Sequence, residues 1–170
     1  MAGEVYIEDG TTITWADTGG TYAMTASALA TVAARVGARG DLGAWPRPSL
    51  YRWYLETEWT SAPTIDGMLE LYFGGWDNDT GPASPHGQLP ATDTGYAAAS
   101  AGLSKRKNLI FAGGVIAETA AVGPFSASGL VALPFRHASP LIYNGGSVAL
   151  RTSTAATFLR LTPIYSQVQA

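Results

Sequence analysis

His86 and His137 are the two side chains of this 170-residue chain whose ordinary pKa lies near neutrality. A histidine set between a serine and a buried aspartate can drive hydrolysis, but that relay also needs an orienting geometry and an oxyanion hole. His86 sits in the turn Pro85-His86-Gly87, and His137 follows Arg136 near the end of an expected strand. No Gly-x-Ser-x-Gly elbow occurs to raise a nucleophile on a strand-to-helix turn. Both histidines therefore read as solvated or interface residues, with a hydrolase using either one as the last-ranked reading. The chain has no cysteine, which excludes disulfides, thiolate metal sites and a cysteine nucleophile.

The other chemistry-bearing groups are short. Asp77-Asn78-Asp79 has the oxygen ligands of a calcium loop but not the twelve-residue spacing with its terminal Glu. Asp and Asn also stabilise turns through their own side chains, which explains the triplet without a metal. Arg39-Gly40-Asp41 spells an adhesion tripeptide, yet Gly37, Gly40 and Gly43 already account for a tight loop there. Lys105-Arg106-Lys107 is the one basic cluster, and no glycine-rich phosphate loop accompanies it. Five tryptophans remain: Trp15, Trp45, Trp53, Trp59 and Trp76. Trp53 and Trp59 share an alternating face with Tyr51 and Leu55 and are expected in a core. Trp45 and Trp76 lie beside turns and are expected on a contact surface, where tryptophan commonly anchors partners. No catalytic residue, metal site or cofactor is expected.

The elements that must position these groups are strands. Over residues 51–59, Tyr51, Trp53, Leu55, Thr57 and Trp59 alternate with Arg52, Tyr54, Glu56 and Glu58. Strand side chains point alternately to opposite faces, so this spacing makes one apolar and one polar face. Leu69, Leu71 and Phe73 repeat the pattern after the turn-rich link 60–67, which predicts a hairpin or meander. Asp9-Gly10 predicts a turn between short strands at 5–8 and 11–15. Further strands are expected at 109–117 with a bulge at Gly113-Gly114, and at 126–133, 139–143, 147–151 and 157–168. Leu29, Val32, Ala33 and Val36 follow helical spacing and predict a short helix near 26–36, with an Ala-rich extended segment as the competing reading. Residues 76–107 read as a long Gly/Pro/Ser/Asp-rich loop, a length that usually marks function or disorder.

About eight to ten short strands separated by Gly, Pro and Asn turns define the expected fold. It is all-β, a single-domain jelly-roll-like β-sandwich over 1–170, with an N-terminal arm at 1–15 and a C-terminal arm at 164–170. Charged residues make up 14% of the chain, low enough to leave a neutral, contact-prone surface. The formal charge of −3 argues against nucleic acid as the main partner. Residues 1–94 carry twelve acids and four bases, whereas 95–170 carry only Glu118 against six bases. Such polarity lets copies meet positive to negative, unless interleaved strands mix the two halves. No apolar run reaches the length of a membrane span, and no signal-peptide pattern is visible at the first residues.

The run from Ala28-Leu29-Ala30 through Ala33-Ala34-Arg35-Val36-Gly37-Ala38-Arg39-Gly40-Asp41-Leu42-Gly43, the aromatic strand after it, Ser61-Ala62-Pro63-Thr64, Leu69-Glu70-Leu71-Tyr72 with its Asp/Asn/Gly-rich loop, and the closing Leu159-Arg160-Leu161-Thr162-Pro163-Ile164-Tyr165 resemble small virion structural proteins of tailed bacteriophages. The resemblance implies a non-catalytic β-sandwich subunit on the virion, of the capsid decoration (cement) type. Its partners would be the major capsid protein and other copies of itself in a homotrimer. The alternatives are a tail, baseplate or head-fibre subunit, and a carbohydrate-binding module using Trp45, Trp76 and the Asp77/Asp79 turn on a host glycan. In the decoration reading the expected contact residues are Val5, Tyr6, Ile7, Trp15, Trp45, Trp76, Ile164 and Tyr165. Extended arms can add strands to a neighbour's open sheet edge.

Overall fold

A computed structural model describes residues 5–76, 89–96, 109–119 and 121–168. Twelve strands occur among them: β1 (Val5–Asp9), β2 (Ile13–Ala16), β3 (Tyr22–Ala23), β4 (Ala33–Val36), β5 (Gly40–Asp41), β6 (Leu50–Thr57), β7 (Met68–Trp76), β8 (Thr94–Tyr96), β9 (Ile110–Ile116), β10 (Phe125–Ala132), β11 (His137–Asn144) and β12 (Phe158–Val168). One sheet runs β10-β6-β12-β2-β3 with β1 added to β12; the other runs β8-β4-β11-β7-β9 with β5 added to β11. The pairs β7/β9, β6/β10, β4/β11 and β2/β12 are all antiparallel and nest outward, in that order, from the β7–β9 connection. That nesting is the jelly roll, a double-sheet sandwich.

The core forms where the two inner faces meet. Tyr51, Trp53 and Leu55 of β6, with Leu159 and Leu161 of β12, face Leu69, Leu71 and Phe73 of β7 and Ala138 and Ile142 of β11. Full burial of each large side chain contributes on the order of 1.5–3 kcal/mol. Trp53 and Trp59 both lie in this core, as their alternation predicts. Thr57 is fully buried on the same face, and its hydroxyl shares a 2.9 Å hydrogen bond with that of Thr157.

A second apolar cluster lies on the other face of the β8-β4-β11-β7-β9 sheet. Val36, Trp76 and Leu141 pack there with Leu89 and Leu109, which border the connection between β7 and β9. The expected loop at 76–107 is only partly described. Residues 89–96 fold back and β8 pairs with the outer edge of β4, while 77–88 and 97–108, including His86, Asp77, Asp79 and the basic cluster, lie outside the described residues.

Four local expectations are corrected. No helix forms among the described residues, and 26–36 makes turns and then β4. The carbonyls of Leu29 and Ala30, which a helix would use, accept hydrogen bonds from the buried Asn144 Nδ2 at 3.1 and 3.3 Å. Ala28 and Val32 take left-handed φ values of 57°, and the Val32 N–H donates to the Asn144 carbonyl at 2.8 Å. β6 and β7 are not a hairpin, because their link crosses from one sheet to the other. β1 and β2 are not a hairpin either. Both lie along β12, and the Gly10 N–H donates to the Pro163 carbonyl at 2.8 Å, carrying the chain straight on. Residues 147–151 make a single bridge, Leu150 to Trp59, rather than a strand. The expected bulge is present in β9, one residue early, where Ala112 is inserted between the partners of Leu71 and Tyr72.

Candidate binding groove beside the paired chain ends

The two arms expected at the chain ends pair with each other. Val5 stands opposite Val168, Ile7 opposite Ser166 and Asp9 opposite Ile164. β12 is long enough to serve two neighbourhoods. Its first half lies between β2 and β6, and its pairing with β6 ends at Pro163 opposite Tyr51. Its second half keeps β1 on one side and, among the described residues, has no strand on the other. The chain leading into β6 diverges there because Pro46 and Pro48 have no N–H to offer a ladder.

The divergence opens a groove of about 580 Å³ lined by Ile7, Pro46, Arg47, Leu50, Ile164 and Tyr165, with Pro48, Ser49 and Ser166 completing the wall. Ile7 is 72% exposed, and Leu50 and Tyr165 are exposed as well. Arg47 forms the floor at 7% exposure. Its Nη1 donates to the carbonyls of Leu133 at 3.1 Å and Pro48 at 3.2 Å, and its Nη2 to the carbonyl of Pro134 at 2.6 Å. The guanidinium also stacks 5.3 Å from the centre of the Trp45 ring. No carboxylate among the described residues pairs with Arg47, and its Nε has no hydrogen-bond partner. Buried cations are ordinarily paired, so this one is a source of positive potential under an apolar groove. Next to it, burial raises the Tyr51 hydroxyl pKa, against the lowering effect of the Arg47 hydrogen bond and charge.

Arg35 shows the contrasting arrangement. It lines a cavity of about 500 Å³ together with Thr25, Leu29 and Tyr96, and its Nε donates to Asp93 at 2.6 Å. Burial pushes the Asp93 carboxyl up, but hydrogen bonds from Arg35 and from the Thr25 hydroxyl and amide outweigh it and hold the pKa below the usual range. The Asp93 hydrogen bond raises the Arg35 pKa in turn. That cation is neutralised inside the chain, whereas Arg47 is not.

Three of the expected contact residues, Ile7, Ile164 and Tyr165, converge on the groove. Trp45 stands beside it, 73% exposed and joined through Arg47. Val5 and Tyr6 lie in β1 opposite Val168 and Gln167. Two expectations are overturned. Trp15 is fully buried, with its Nε1 donating to the Ala38 carbonyl at 2.8 Å and its ring 5.5 Å from that of Tyr22. Trp76 is buried in the outer cluster, with the Arg39 guanidinium 5.7 Å from its ring centre. Neither a place in the N-terminal arm, for Trp15, nor nearness to a turn, for Trp76, implied exposure, because distant strands cover each ring. Sequence reasoning missed Arg47 as a site residue. Its signal was a lone cation held between two prolines next to a tryptophan.

His137 is buried, with its Nδ1 3.9 Å from Asp41 Oδ1. Asp41 is held by Arg136 at 3.0 Å, and that hydrogen bond lowers its carboxyl pKa. Ser139 is two residues along the same face of β11, fully buried, and its hydroxyl has no hydrogen-bond partner among the described residues. A nucleophile–base hydrogen bond is therefore not formed by these three groups. The Arg39-Gly40-Asp41 tripeptide is built into the fold: Gly40 packs against Trp15 and Tyr22, and Asp41 bonds to Arg136. Among the described residues no group of three or more His, Asp and Glu gathers as a metal site, and no helix is long and apolar enough to cross a membrane. No protein-family model matches the chain, and no curated protein does so either.

Proposed function

We propose that this chain is a structural subunit of a bacteriophage virion, a capsid decoration protein that seats on the major capsid lattice as a homo-oligomer and strengthens the head. The observation that carries the reading is the groove beside the β1–β12 ribbon. There an open strand edge, exposed Ile7, Leu50 and Tyr165, and an exposed Trp45 lie together at one end of the sandwich. Open edges and clustered apolar side chains are what soluble monomers avoid and what assembly subunits use. The low charge and the resemblance to small phage virion proteins support the same reading. A specific interface of this kind buries roughly 1,200–2,000 Å² in total.

The test uses heads of the phage encoding this sequence, produced without it. Purified protein is expected to bind them saturably and to raise the temperature at which they release DNA. A protein that stays off the heads, or binds without changing their stability, would overturn the reading. Cryo-electron microscopy of virions carrying a labelled copy separates the head from the tail and baseplate. Trp45, a flat exposed indole, also favours a second reading as a sugar-stacking residue. A glycan array that stays silent with and without calcium removes that alternative.

A further inference from the structure

We propose that the groove is filled by β1 of a second copy of this chain, joining subunits head to tail through their ribbons. The proposal deepens the homo-oligomeric part of the function proposed above.

It follows from the direction of the backbone groups. In a strand, successive residues present their N–H and C=O to opposite sides. The Gly10 N–H donates to the Pro163 carbonyl, so Pro163, Tyr165 and Gln167 face β1. Ser166 and Val168 then face the groove, beyond the end of the β6 pairing at Tyr51. On β1 the same alternation turns Tyr6 and Glu8 toward β12 and leaves Val5, Ile7 and Asp9 facing outward. The ribbon thus carries two edges of opposite direction, one on each strand, that no strand among the described residues pairs with. Setting the outer edge of one β1 against the groove edge of the next β12 continues the antiparallel alternation and pairs both rows. A two-stranded ribbon is marginal by itself, and a third strand stabilises it.

Shape selects the same occupant, while the Asp9 carboxylate of β1 stays with Arg52 of its own subunit at 2.7 Å. Ile7, 72% exposed on its own subunit, is the apolar residue that the Leu50, Ile164 and Tyr165 walls would cover. A head-to-tail contact either closes into a ring or runs on as a filament.

Ser166→Pro tests it selectively. It removes an N–H that points into the groove and leaves in place the Tyr165 and Gln167 groups that hold β1. The wild-type chain should sediment as a closed oligomer, and S166P should weaken association by about tenfold or more while retaining the wild-type melting profile at low protein concentration. Amide exchange is the second measurement. The Ile7 and Ser166 amides should be protected in concentrated protein and lose protection on dilution, while core amides do not change. A monomeric wild type, an S166P oligomer as tight as wild type, or Ile7 and Ser166 exchange independent of concentration each overturns the proposal. The head-binding result is separate. An oligomer built this way that ignores heads removes the virion role and leaves the strand pairing intact, whereas a monomer that binds heads does the reverse.

Discussion

The Trp53 indole occupies the space where a β-carbon on Gly113 would sit: an added Cβ would lie 2.5 Å from Trp53 Cζ2. Trp53 belongs to β6 of one sheet and Gly113 to β9 of the other, so the contact fixes how closely the sheets approach at that edge. A Cβ added to Gly129, which pairs with Trp53 from β10, would likewise lie 2.9 Å from the same ring.

Gly113→Ala should therefore be costly on two counts. It meets the indole, and it forces a side chain onto a backbone with φ of 147°. A loss of about 2–3 kcal/mol is expected in urea unfolding, from overpacking with backbone strain. A change below about 0.5 kcal/mol, the range of an indifferent surface site, would show that the sheets yield freely here.

Asn144→Ala should lower stability by roughly 2–4 kcal/mol. The side chain is fully buried, its Nδ2 donates to the carbonyls of Leu29 at 3.1 Å and Val148 at 2.9 Å, and its Oδ1 accepts the Gly146 N–H at 3.0 Å. Its removal leaves these groups buried without partners, and each such group costs about 1–3 kcal/mol less any relief by water. Calorimetry checks the loss. Proteolysis within 26–32 should increase with it, because Asn144 is what ties that segment down.

Asp93→Asn should flatten the acid side of the stability profile. The folded carboxyl titrates below its ordinary value of 3.8, so the unfolded chain binds more protons as pH falls toward and below that value. The stabilisation is therefore full above about pH 5 and is lost as pH drops through the lowered folded pKa. Unfolding midpoints measured between pH 2 and 7 should converge for wild type and D93N at the acid end. Curves that stay parallel would remove Asp93 from the acid response.

Trp45→Ala should separate stability from assembly. The ring is exposed and touches the fold mainly through Arg47, so thermal unfolding should change by no more than about 0.5 kcal/mol. Occupancy on protein-deficient heads should fall several-fold if the indole is an anchor of the kind that dominates interfaces. Unchanged occupancy would place the contact elsewhere on the surface.

The sequence made the sandwich readable wherever one face of a strand is buried and the other solvated. Tyr51, Trp53 and Leu55 announce β6, and Leu69, Leu71 and Phe73 announce β7. The sheet to which each strand belongs was not readable, because alternation reports faces and not partners. The 26–36 segment misled because helical spacing and alanine are local signals. Its fate is decided by Asn144, more than a hundred residues away, which claims the carbonyls a helix would need. Trp15 and Trp76 misled for a related reason, since the residues that cover them come from remote parts of the chain. Of the candidate site, the apolar members Ile7, Ile164 and Tyr165 were legible as contact residues of the two arms. Arg47 was not, since only the folded chain shows that its partners are all neutral carbonyls and rings.

Because Val5 and Val168 form the outermost described rung of an antiparallel pair, residues 5 and 168 lie at the same corner of the sandwich. Tension applied through these two residues would load that rung first and then each rung in turn, like a zip, instead of shearing the whole ladder at once. A single subunit stretched in this way should yield at low force, releasing β1 from β12 before the sandwich gives way. Handles attached at residues within β6 and β12 should meet a far stiffer body.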